Sequence, residues 1–283
     1  MLPRWWPRCR PTARYLMETE VHVYALAIAA STLLAFYPFL MVMLAFCHNV
    51  LRWPAAEQAI YLALNDFFAP DAGGFFSRNL QPWMTGKLNV TSMLLLMFTA
   101  NGIFEPIEVA LNRAWGVPKN RSYLRNQLVS FGLILLCGGL ALLSVMFSAV
   151  NGPWLSSWAG GRAELLVWLQ LFIFKLAAVP LLILALFLTY WLLPNRRIDP
   201  RRVAPAAIIV GLALESLKYV NLLIWPMLKN KLEHEYNIFK YSVTIVLWSF
   251  VGAMVVLAGA HWTASAEPKT EPPAPEWPPR TIT

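Results

Sequence analysis

A chain of 283 residues that is 58% apolar and only 13% charged is not an ordinary soluble domain, for which roughly 45–50% apolar and 25% charged residues are usual. Its net charge of +8 would suit nucleic acid, but the Lys and Arg residues flank long apolar runs, where membrane orientation requires them. Three scattered cysteines, Cys9, Cys47 and Cys137, suggest no disulfide framework.

In chain order, a basic segment over residues 1–20 leads into residues 23–46, a stretch with no side chain charged at neutral pH. A run of that length reads as a transmembrane helix. It exceeds the roughly 7–15 residues of a signal-peptide core and no small-residue cleavage site follows, so it is expected to stay as a span. Pro38 removes one backbone donor within it and marks a bend. In the next loop, residues 54–68 put Ile60, Leu64, Phe67 and Phe68 on one side at helical spacing. That pattern predicts a short amphipathic helix, lying along the outer membrane surface or capping the bundle as a lid. Five further spans are expected at about 90–112, 128–150, 165–193, 203–225 and 243–260. The tail after Ala264 is rich in Pro and Glu and is expected to be disordered. A backbone in hydrocarbon must satisfy its own hydrogen bonds, so the fold class is all-α. The expected organisation is a cytoplasmic segment 1–20, a polytopic six-helix transmembrane domain 21–264 and a cytoplasmic tail 265–283.

Orientation follows from the basic residues. Arg4, Arg8, Arg10 and Arg14 precede the first span; Arg113, Lys119, Arg121 and Arg125 link the second and third; Arg196, Arg197, Arg201 and Arg202 link the fourth and fifth. These segments are expected in the cytoplasm, with both termini. The opposite loops hold Arg52, Arg78, Lys87, Arg162, Lys229, Lys231 and Lys240, partly balanced by acids. Trp53, Trp83, Trp115, Trp154, Trp158, Trp191, Trp225 and Trp262 fall near expected water boundaries, where an amphipathic ring is favoured. Rows of small residues, Cys137, Ala141, Ser144 and Ser148 in the third span and Ser249, Gly252, Val256 and Gly259 in the sixth, predict close helix contacts.

Three spans carry polar residues. Asn101, Glu105, Glu108 and Asn112 form one stripe down the second, with the bend candidate Pro106 in the same turn. Lys175 and the bend candidate Pro180 lie in the fourth. Glu215, Lys218 and Tyr219 lie in the fifth, where Glu215 and Lys218 can pair within their own helix. At about 1.5 Å per residue, Lys175 is roughly 15 Å from the outer side and Glu215 roughly 18 Å from the inner side, so the two share a level. Burying charge in hydrocarbon is expensive, so Lys175 and Lys218 are expected to face Glu215, Glu105 and Glu108 across a polar centre. One reading makes this a path for an ion, a proton or an amphiphile head group; the other makes it a set of pairs that fix helix register.

These segments resemble the YihY/virulence factor BrkB family of bacterial inner-membrane proteins. The likeness is carried by Ala35-Phe36-Tyr37-Pro38-Phe39-Leu40, by Asn112 with Trp115-Gly116-Val117, by Pro194-Asn195-Arg196-Arg197, and by Tyr236, Trp248 and Gly259-Ala260. The family usually has Gly after that Tyr and an acid after Gly-Ala, where this chain has Asn237 and His261. The resemblance implies six helices in a bacterial inner membrane. It also raises a ribonuclease label once attached to the family, which the residues do not support. His22, His48, His234 and His261 are scattered with no metal-ligand spacing, and the basic loops lack aromatic platforms for bases. No nucleophile elbow, Gly-rich phosphate loop or zinc motif is present.

The sequence therefore points to a non-enzymatic membrane protein with no cofactor, metal or nucleic-acid partner, in contact with membrane lipids. Its candidate path residues are Asn101, Glu105, Glu108, Lys175, Glu215, Lys218 and Tyr219, and its cargo would be an envelope amphiphile or an ion. The alternative is a structural or interaction protein of the envelope.

Overall fold

The structure is a computed structural model that describes residues 6–67, 72–84, 90–117, 122–158 and 163–265. Among them the regular elements are all helical. Helix α1 (Trp6–Leu16) precedes α2 (Thr19–Phe46), which continues into a π turn (Cys47–Leu51). Helices α3 (Pro54–Phe67) and α4 (Ala72–Met84) follow, then α5 (Val90–Ala114), α6 (Tyr123–Trp158), α7 (Ala163–Leu192), α8 (Pro200–Tyr236) and α9 (Lys240–Ser265). Residues 19–51, 124–144, 200–236 and 240–264 are long and apolar enough to cross a membrane, and 178–192 in α7 forms a shorter apolar stretch.

The six long helices close a ring, with α2 on α5, α5 on α6, α6 on α7, α7 on α8, α8 on α9 and α9 back on α2; α5 also touches α9 across it. The closest crossings use glycine because a bare backbone lets two helices approach where lipid supplies no hydrophobic drive. A Cβ at Gly259 of α9 would lie 2.7 Å from the Tyr190 hydroxyl and closer still to Val210 Cγ2, so α7, α8 and α9 meet there. Gly211 likewise seats α8 on Ile183 of α7.

The N-terminal segment and the first loop differ from expectation. Residues 6–16 form α1, which packs on α9, and α3 is joined by a second loop helix, α4. Helix α3 buries Ala56, Ala59, Ile60 and Leu64 against the bundle, so its apolar face caps the helices. Helix α8 runs eleven residues past the expected end at 225, carrying Lys229 and Lys231 in helix. Polar residues continue a helix into water without any apolar signal, which is why the run of hydrophobicity stopped short. Trp115 and Trp225 are packed into the apolar clusters of the bundle. The expected disordered tail 266–283 lies outside the described residues, as does Phe68.

Candidate functional site

At the end of the bundle where α1 sits, the α5 C-terminus and the α7–α8 connection form one clasp. Gly116 has φ +63° and donates its N–H to Arg113 O at 3.1 Å, while Val117 N–H donates to Asn112 O at 2.8 Å. This pair of bonds is a Schellman stop, which requires a residue tolerant of left-handed backbone at the glycine position. Asn112 does more than end the helix. It is 1% exposed; its Oδ1 accepts the Asn195 N–H at 2.8 Å and its Nδ2 donates to Glu108 Oε1 at 3.3 Å. Arg196 donates to the Trp115 carbonyl and lies 5.9 Å above the Trp115 ring. Two motifs more than eighty residues apart are thus one structural unit.

Other basic segments gather at the same end. Arg113 pairs with Glu20 at the start of α2, and Asp199 caps α8 by accepting from Arg201 N–H at 3.0 Å. His261 of α9 meets α1: its Nδ1 is 3.2 Å from Thr12 Oγ1 and its ring stacks on Tyr15 with centroids 4.4 Å apart. Burial, with Tyr24 and Glu18 nearby, raises the Tyr15 phenol above its ordinary range. His261, which departs from the family's usual acid, serves here to dock α1.

The polar residues of the spans separate into two groups. Glu215 and Lys218 pair at 2.6 Å within α8, with side chains 12% and 16% exposed, as their spacing requires. Tyr219 beside them is largely exposed. On α5 the stripe straddles the edge of the packed face: Glu108 and Asn112 are buried, whereas Glu105 shares the exposed face with Leu94 and Phe98. Helix α5 packs on α2, α9 and α6, and α8 on α7 and α9, so Glu105 and Glu215 share no main seam. The side chains of Asn101 and Lys175 lie outside the described residues. Helices α2, α5 and α7 run on through Pro38, Pro106 and Pro180, each of which withholds a donor from the carbonyl four residues before it. Tyr236 ends α8, Trp248 is half-buried in α9, and Gly259 is the crossing described above. Among the described residues no group of three His, Cys, Asp or Glu gathers to hold a metal.

A feature the sequence did not announce is a cleft of about 380 Å³ between α2, α3, α5 and α6. Phe36, Phe39, Met43, Ile60, Ile103 and Ile134 are among its walls, and among the described lining residues Thr32 and Cys137 contribute the only polar side-chain atoms. Its signal in the sequence was the row of small residues at Cys137 and Ala141, which here leaves space instead of filling a contact.

Long apolar helices closed into a ring, with ionisable side chains paired or buried inside them, define a multi-pass membrane protein. The chain belongs to the family described as Virulence factor BrkB, whose pattern matches residues 12–281. It is similar to a UPF0761 membrane protein of Acinetobacter baylyi, 28% identical over 84% of this chain and 57% of that protein. It is also similar to one of Chlorobium chlorochromatii, 25% identical over 87% of this chain and 56% of that protein. The chain therefore spans a little over half the length of these two relatives. A UPF0761 membrane protein of Alteromonas mediterranea is 22% identical over 94% of this chain and 89% of its own length. No solved structure matches the chain.

Proposed function

We propose that this is a non-enzymatic bacterial inner-membrane protein of six transmembrane helices, both termini cytoplasmic, which transports or shields an envelope amphiphile or an ion. The observation that carries the reading is the sequestered Glu215–Lys218 pair inside α8, since ionisable groups held at membrane depth are expensive and mark functional paths. Glu108, buried in α5, adds a second such group. Two further features support six crossings. Helices α5 and α7 have 25 and 30 residues, long enough at about 1.5 Å per residue to cross a hydrocarbon core of about 30 Å. The basic segments at Arg14, Arg113 and Arg196 meet at one end of the ring, as cytoplasmic segments would.

The test is flux through vesicles reconstituted with the full chain. Translocation of fluorescent phosphatidylglycerol between leaflets, and uptake of sodium, are measured against protein-free vesicles. One of the two should be accelerated, and Lys218→Met and Glu215→Gln, which each break the sequestered pair, should slow it. Acceleration of neither, or variants as fast as the parent, would remove the transport reading and leave the structural role.

A further inference from the structure

The described lining of the apolar cleft holds no Asp, Glu, Lys, Arg or His. We infer that the cleft binds one acyl chain of a membrane lipid from the leaflet on the α3 side, a site that rests on the amphiphile branch of the proposed function.

The wall chemistry excludes a polar ligand. The Thr32 hydroxyl already donates to Ile28 O at 2.7 Å, which leaves the Cys137 thiol as the only other polar side-chain atom among the described residues of the lining. Ordered water needs two to four polar partners, and the cleft does not supply them. Its volume of about 380 Å³ is that of a ligand site and far above the packing gaps of a protein interior.

Shape and depth then select the occupant. Along α2 the lining runs from Thr32 to Met43, about 16 Å at 1.5 Å per residue. That is close to half of a hydrocarbon core of about 30 Å, the reach of an acyl chain in one leaflet. Thr32 stands near the middle of the charge-free run 23–46 and Met43 near its end. Ile60 and Leu64 of α3 line the cleft as well, which puts it in the half of the bundle capped by α3. An elongated, apolar, leaflet-deep cleft fits a single hydrocarbon chain better than a compact ring system.

The full chain, reconstituted in dioleoylphosphatidylcholine vesicles containing phosphatidylglycerol with a diazirine at mid-chain, is irradiated and its adducts are mapped by peptide mass spectrometry. Adducts should concentrate on Phe36, Phe39, Ile134 and Cys137, several-fold above the outward-facing Leu34, Leu135 and Leu136. Ala141→Phe, which fills the cleft from α6, should abolish that excess while leaving the outward adducts unchanged. If this variant does not fold, Ala63→Phe fills the cleft from α3 and should do the same. Equal labelling of cleft and outward residues, or an excess that survives a folded filling variant, overturns the site. Adducts form without net transport, so unlabelled cleft with intact flux removes the acyl site alone, and a labelled cleft without flux removes the transport reading alone.

Discussion

Asn237 shows how one residue can be read twice. As a sequence departure from the family's glycine it had no consequence; as the residue that follows α8 it stands at φ 46° and ψ −111°. Side chains with a Cβ are strained in that region, at roughly 1–3 kcal/mol each. Asn237→Gly is therefore expected to stabilise the protein by about 1 kcal/mol, and Asn237→Val to destabilise it, measured as the shift in thermal unfolding of the detergent-solubilised chain. Loss of stability on introducing glycine would show that the Asn237 side chain outweighs the backbone strain. The other marked departure, His261, became intelligible only through Thr12 and Tyr15, some 250 positions earlier. Likewise Asn112 reads locally as a helix end, and its bond to Asn195 N–H depends on a loop that no local pattern connects to it.

For the helices, legibility tracked apolar length. The charge-free runs became α2, α6 and α9 because an unbroken hydrophobic stretch has one outcome in hydrocarbon. Helix α4 was not foreseen, since it opens on Ala72-Gly73-Gly74, residues that by propensity signal a loop. The small-residue rows were legible as contacts but not as to which contact. Gly259 proved to be the tight crossing of α7, α8 and α9, whereas Cys137 and Ala141 border a cleft. Gly259→Leu should accordingly destabilise the chain by about 1–3 kcal/mol through overpacking. Gly132, with nothing within 4 Å of an added Cβ, should accept Ala nearly without effect. Thermal unfolding of the two variants compares them directly, and similar losses would sink the crossing assigned to α9.

At the scale of the whole molecule, the ring collects its basic connections at one end and α3 with α4 at the other. In a cysteine-free background, single cysteines at the exposed positions Ser122 and Gln58 should respond oppositely to an impermeant maleimide applied to intact cells. Gln58→Cys should react at once and Ser122→Cys only after permeabilisation; the reverse pattern would invert the proposed orientation. Composition and run length determined by themselves that this is a helical membrane protein, because transfer from water to hydrocarbon depends on residue type and spacing alone. Only the tertiary structure decided which polar residues meet, since pairing within one helix follows from sequence spacing while pairing between helices depends on their rotation and neighbours. That is why Glu215 and Lys218 were legible as a pair, whereas the Asn112 clasp, the exposed position of Glu105 and the apolar cleft were not.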